Sequence, residues 1–335
     1  MPSASFLAAM RALAFCTGLL GATAGAAGQS DWGAWAEGAG KLHPLAGRVY
    51  DAAAGKLADP APAAGVPALV LPDGLVLLGE VHDNAAHHRV RAWQIAETIK
   101  ARPQWRPAVL FEQIDTDRQE AVERFERLEA GARTAEALFD LLKWQDSGWP
   151  PADSYRPLIE AVVAARLPIY AGDLPRVRMR SVARGGLLQI APEERARLGL
   201  DSPLPAPLAD AVRLELEESH CGAMPPQALG GMAVAQRYRD AHMADALLGA
   251  AQRHGSAILI AGNGHVRADR GVPWHVRQRS PGTPVTAVLL MEVEEGKAEP
   301  ADYLPRDPDG KPAADFIIFT PRAERPDPCE SLRKK

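Results

Sequence analysis

Between residues 75 and 319 the chain alternates short, continuously apolar runs with longer stretches whose apolar residues recur every three or four positions. Leu75-Val76-Leu77-Leu78, Ala108-Val109-Leu110-Phe111, Leu167-Pro168-Ile169-Tyr170-Ala171 and Ala257-Ile258-Leu259-Ile260-Ala261 read as strands buried on both faces. Residues 285–293 and 316–319 supply two more. After the first run, Ala92, Ile95, Ala96 and Ile99 fall on one helical face, with Asp83 or Asn84 placed to cap the helix. Helical patterns recur over about 116–142, 155–165 and 229–254. This alternation predicts an α/β fold with a mixed, mainly parallel sheet flanked by helices.

Residues 176–228 interrupt the pattern. They are rich in Arg and Pro, then turn helical over about 208–219, and read as a helical cap inserted into a domain spanning 75–320. Residues 28–74, rich in Ala, Gly and Pro, form an irregular lead-in with a short hairpin expected near 47–51, and 321–335 form a tail. Residues 1–27 differ again. Arg11, the apolar stretch that follows it and the small residues Ala24, Gly25 and Ala26 have the layout of a secretory signal peptide, so export is expected. Cys16 sits in an imperfect lipobox with Phe15 where a small residue belongs, which favours a cleaved periplasmic product over a lipoprotein.

Composition narrows the function. Across 335 residues the formal net charge is −4, which argues against the basic footprint of a nucleic-acid binder. With Cys16 in the cleaved segment only Cys221 and Cys329 remain, which leaves no cysteine-metal site, and a bond between those two does not follow from their contexts.

The chemistry collects where the strands end. The first run leads into Gly79-Glu80-Val81-His82, the second into Glu112, the third into Gly172-Asp173 and the fourth into Gly262-Asn263-Gly264-His265. In an open parallel sheet, the crevice beyond the carboxyl ends of the strands is where ligands bind. Pairing Glu80 with His82 and Glu112 with His265 lets each acid orient an imidazole, a set suited to activating water or holding a divalent metal. No H-E-x-x-H spacing supports the metal. His88, one turn before Ala92, is expected to face the site and stay neutral, and His87 to face solvent.

The runs LLGEVHDNAAHH, VLFEQIDTD, IYAGDLPR, EESHCG, AQRYRDAHMA and LIAGNGHVRADRGVP resemble the ChaN-like haem-binding proteins of bacteria over about 75–273. More distantly, the two G-x-x-H elements with Glu112 look like the TIKI and erythromycin-esterase relatives, in which matching Glu and His residues serve hydrolysis. The resemblance implies haem as cofactor, iron uptake with partners in the cell envelope, and haem held at a homodimer interface through a tyrosine. Tyr238 is the leading candidate, with His242 four residues on and on the same helical face; Tyr170 and Tyr155 are alternatives. Met232, Met243 and Trp274 are candidate porphyrin contacts, and Arg237 or Arg239 candidate propionate partners. The rival that the same resemblance leaves open is a hydrolase built on Glu80, His82, Glu112 and His265.

Three further features have plainer expected roles. Arg176, Arg178, Arg180 and Arg184 make a solvated face, Ser219-His220-Cys221-Gly222 defines no nucleophile, and Trp144 and Trp149 pack a loop against the sheet.

Overall fold

The computed structural model describes residue 39 and residues 42–58, 69–327 and 329–330. The proposed signal peptide, Cys16, much of the lead-in and the last residues of the tail lie outside them.

The chain enters through a short hairpin, β1 (Val49–Asp51) and β2 (Lys56–Leu57), as expected near residues 47–51. The α/β alternation then begins with β3 (Leu75–Leu78), α1 (Ala85–Ala101), β4 (Ala108–Asp115), α2 (Gln119–Glu126), α3 (Ala135–Leu142), α4 (Ala152–Ala164) and β5 (Ile169–Asp173). The inserted segment folds into α5 (Arg176–Gly185), α6 (Pro192–Leu198) and α7 (Ala206–Ser219). The long α8 (Pro226–His254) returns to the sheet, followed by β6 (Ala257–Ile260), the single turn α9 (Asn263–Val266), α10 (Val272–Arg279), β7 (Val285–Glu292) and β8 (Phe316–Thr320).

These strands form one sheet in the order β2-β1-β8-β7-β3-β6-β4-β5. From β8 to β5 all neighbours are parallel; β1 joins β8, and β2 joins β1, in antiparallel fashion. The sheet is mixed and mainly parallel, and the continuous apolar runs explain why. Alternate side chains of one run face opposite layers, so both faces need cover. Val76, Leu78, Phe111 and Ile260 pack with Ile95 of α1 and Tyr155 and Ile159 of α4. Leu75, Leu77, Leu110 and Leu259 pack on the other face with Met243 and Leu247 of α8 and Val276 of α10.

The order places the site. The chain moves outward from β3 to β4 and β5, returns to insert β6 between β3 and β4, and then crosses to β7 on the far side of β3. Leu78 and Phe111 both pair with Ile260, so β3 and β6 end at the level where β4 leaves β6 and runs on to Asp115 beside β5. Crevices form there because the following loops diverge.

The inserted cap has its own small core, in which Leu174, Val182, Ile190, Leu198 and Leu200 close around Tyr238 of α8. The turn after α7 is tied to the tail by a disulfide between Cys221 and Cys329, 108 residues apart, a pairing that the sequence left open. The tail is also held by Arg325, whose Nε and Nη2 donate to Asp83 at 2.7 Å and whose Nη1 donates to Glu292 at 2.6 Å.

Candidate functional site

Two buried carboxylates flank His82, Glu80 just after β3 and Glu112 within β4 where that strand parts from β6. Gly79 lies so close to the Asn263 side chain that a Cβ has no room, which brings the loop after β3 against the turn after β6. Glu80, 2% exposed, projects beneath that loop. Its carboxylate accepts hydrogen bonds from Gln113 Nε2 at 2.8 Å, from the Tyr155 hydroxyl at 2.7 Å and from Arg91. His82 Nδ1 lies 2.5 Å away. Burial alone raises the pKa of Glu80, but the Arg91 guanidinium and the bond to His82 hold it well below the usual carboxylate range. Arg91 is fully buried, and its Nε and Nη1 find no hydrogen-bond partner among the described residues.

The first turns of α1 support this centre. Asn84 caps the helix, its side chain accepting the Ala86 N–H at 2.9 Å. His88 faces the site as expected: Nε2 donates to the His82 carbonyl at 3.0 Å, and Nδ1 accepts from Arg91 at 2.6 Å. Burial and the Arg91 charge lower its pKa, so it stays neutral. His87 does not face solvent. It is buried, accepts the Val81 N–H at 2.8 Å and lies 2.8 Å from the Thr320 hydroxyl. Burial pushes its pKa down to about 3. Its ring is closed in between Val81 of the loop after β3 and Thr320, the last residue of β8.

Glu112 forms the second centre. One oxygen accepts the Gly262 N–H at 2.6 Å, and the other accepts from Arg239 at 2.5 Å and lies 3.3 Å from His265 Nε2. His82 Nε2 approaches that second oxygen to 4.0 Å. Burial opposes ionisation of Glu112, yet His265 and Arg239 drive its pKa far below normal. His265 is gripped from behind by Asp240, Oδ1 to Nδ1 at 2.6 Å. Burial and Arg239 work against its charge, but Glu112 and Asp240 raise its pKa to about 9. Gly262 is required here, because a Cβ would sit 2.9 Å from the His82 ring.

Both sequence-derived pairs, Glu80–His82 and Glu112–His265, are therefore formed and share one neighbourhood. Its outlet is His82, whose side chain is 39% exposed. His82 meets Trp149 edge-on at 4.8 Å and opens into a cleft of about 450 Å³ lined also by Glu112, Asp173, Leu174, Met179 and Arg239. Arg176 and Arg180 form its rim. Trp144 packs inward as expected, its indole donating to the Pro150 carbonyl at 2.9 Å, whereas Trp149 is half-buried in the cleft wall.

The residues singled out for haem sit elsewhere or are engaged. Tyr238 does share a helix with His242, but that face points into the cap. Tyr238 is fully buried, donates its hydroxyl to Glu194 at 2.7 Å and accepts from Arg178 Nε at 2.8 Å. Burial and Glu194 push its pKa up to about 12, and no groove exposes it. The two ring nitrogens of His242 are buried without hydrogen bonds, and burial lowers its pKa. Met243 is buried against the sheet in the opposite core. Arg239 clamps Glu112 and Asp173 and is not free for a propionate. Arg237 bonds the carbonyls of Gly199, Leu200 and Ser202. Arg178 leaves the expected solvated face to pair with Glu194, and Cys221 is held in its disulfide. Among the described residues no cluster of three or more His, Cys, Asp or Glu has the arrangement of a metal site.

Strand ends alone did not reveal Arg91, Tyr155 or Asp240, which come from helices. A weak signal existed for Arg91, three residues after His88 on the same helical face. Asp240 carried none beyond its place beside Arg239.

Comparison with known proteins agrees with the resemblance. The family model described as haem-binding uptake, Tiki superfamily, ChaN matches residues 70–276. Among solved structures, the chain is similar to ChaN of Campylobacter jejuni, described as binding haem cofacially, with TM-score 0.60 and 18% identity over 81% of this chain and 95% of that one. An erythromycin esterase mutant in its open conformation aligns at TM-score 0.43 and 12% identity, over 76% and 92%. The type III effector HopBA1 aligns at 0.38 and 11%, over 75% and 88%. No curated protein matches in sequence.

Proposed function

The chain belongs to the ChaN haem-binding uptake family of the Tiki superfamily, and on that premise we propose that it binds haem and serves iron or haem uptake in the bacterial cell envelope. The observation that carries this reading is the family match over residues 70–276, which takes in the strand-end site, the cap and all of α8. Export to the periplasm is part of the proposal. The Cys221–Cys329 bond supports it, since such bonds persist in oxidising compartments. A homodimer and envelope uptake components complete it.

Bound haem supplies an iron centre that takes an axial ligand from the protein. A tyrosinate does not fit that role in this chain. All five tyrosines lie among the described residues and none is exposed. Tyr50, Tyr155, Tyr238 and Tyr303 are buried, and the half-buried Tyr170 bonds His254 through its hydroxyl at 2.9 Å. The decisive experiment is a hemin titration of the purified protein followed in the Soret region. A saturable shift is expected; its absence contradicts the proposal.

One observation favours a second reading. His82 and His265 converge on one oxygen of Glu112; against the cost of burial, Glu80 and Glu112 raise the pKa of His82, and Glu112 and Asp240 raise that of His265 to about 9. A cationic His265 held over a buried carboxylate beside an open cleft is suited to stabilising an oxyanion during hydrolysis. Turnover of ester substrates that His265→Gln abolishes would support this reading, and no turnover would remove it.

A further inference from the structure

We propose that α7 is a lid over the back of the Asp240–His265 pair and that the Cys221–Cys329 bond is its catch, so that a dithiol reductant opens this side of the site. Such a lid acts on His265 whichever chemistry the strand ends perform, so it stands apart from the haem reading.

The helix is lightly held. α5 and α6 each bury a residue in the core of the cap, Val182 and Leu198, whereas no residue of α7 is fully buried. Its apolar face is the half-buried row Leu208, Ala211, Val212 and Leu216, and it packs chiefly on α8. Among the described residues one side chain of α7 bonds elsewhere in the chain: Glu215, itself 45% exposed, pairs with Arg270. An element with so few buried contacts opens more readily than the core it rests on. The disulfide adds the second tie, from the turn just past the helix to the tail. That turn is tight, with Cys221 and Gly222 both in left-handed backbone at φ 55° and 67°.

What α7 covers is the rear of the site. A cavity of about 170 Å³ lies between it and α8, lined by Val212, Glu215 and Ser219 of the lid, by Gln236 and Asp240 of α8, and by Gly264. Asp240, 3% exposed, is the residue that grips His265 Nδ1, and Gln236 Nε2 lies 3.1 Å from the same nitrogen. His265 therefore meets Glu112 through Nε2 and the wall of this cavity through Nδ1. The tail is the fixed post. Arg325 ties it to Asp83 and Glu292, the Ala323 N–H donates to Glu292 at 3.0 Å, and the Pro321 carbonyl accepts from Asn84 at 3.0 Å. Breaking the disulfide thus frees the lid and leaves the post in place. Both cysteines are only half-buried, which leaves the bond open to thiol attack. One thiolate of the dithiol attacks a sulfur to give a mixed disulfide, and its second thiolate then displaces the protein. Cys221 and Cys329 end as thiols, and the dithiol ends as a disulfide.

The test is hydrogen exchange of the full chain when oxidised, after dithiothreitol, and as Cys221→Ser/Cys329→Ser, with peptide mapping of alkylated cysteines to follow the bond. In the reduced protein and in the double variant the amides of 206–219 are expected to exchange about tenfold faster or more, while those of β3, β4 and β6 keep their protection. Slow exchange at the carbon-bound Hε1 of the imidazoles reads access to the site. It should rise at His265 and stay unchanged at His87, which is closed in between Val81 and Thr320. Reduction of the folded protein gives the answer even if the double variant folds poorly. A bond that resists the dithiol, unchanged exchange over 206–219, or loosening there with His265 unmoved overturns the proposal. Equal loosening of β3, β4 and β6 also overturns it, because the bond would then staple the whole domain. None of these results bears on haem binding, which the Soret titration reads alone.

Discussion

The same three residue types meet twice in this molecule, with opposite consequences. At the strand ends Tyr155 donates to Glu80, which also pairs with Arg91; in the cap Tyr238 donates to Glu194, which also pairs with Arg178. The two hydroxyl bonds are the same length, 2.7 Å. Arg91 and Glu80 are fully sealed from solvent, whereas Arg178 and Glu194 remain 41% and 19% exposed. The inner triad holds an imidazole at the mouth of a cleft. The outer one fastens α5 and α6 to α8 and leaves its tyrosine no route to a ligand. Residue type therefore says little about role until burial and the neighbouring open space are known.

The comparison is most severely tested by Arg91→Ala. It strands a buried carboxylate, and loss of one partner of a buried pair costs about 3–5 kcal/mol. Chemical denaturation should show that loss, and a change below about 1 kcal/mol would mean that Glu80 is not held by Arg91. Next comes the tyrosine pair. Tyr155→Phe removes a donor from a buried charged acceptor and should cost about 1.5–3 kcal/mol, against about 1 kcal/mol for Tyr238→Phe. Equal costs would erase the distinction between the two triads. The smallest effect is expected for Arg178→Ala, at most about 1 kcal/mol, because its pair is partly solvated and screened.

The inner site should also leave a signature in pH. The pKa of His265 is raised from 6.5 to about 9 in the fold, so the folded protein holds this proton more tightly than the unfolded chain. Its stabilisation is complete below pH 6.5 and is lost as pH rises through 9. Denaturation midpoints should therefore fall across that window in the wild type, and fall less in His265→Gln. Parallel profiles for the two proteins would place the His265 proton elsewhere.

Much of this was legible in the sequence because periodicity reports burial directly. Four continuous apolar runs became β3, β4, β5 and β6, and the residues at or just beyond their ends became the candidate site, with both acid–imidazole pairs formed. What failed was direction. Helical spacing put Tyr238 and His242 on one face, but nothing in the spacing says whether that face meets solvent or the inserted cap. His87 was misplaced for the same reason, since Val81 and Thr320 close in its ring, which a pattern of Ala92 and Ile95 does not reveal. Arg91 and Asp240 escaped notice because a charged residue on a helix ordinarily marks the wet side. Here each is drawn inward by a buried partner of opposite charge.

The most direct test of the account is to locate the iron. Anomalous diffraction at the iron edge from crystals of the hemin complex should place it against residues 70–276, the region that matches the family. Hemin-soaked crystals with no ordered iron against that region would contradict the claim that this protein binds haem.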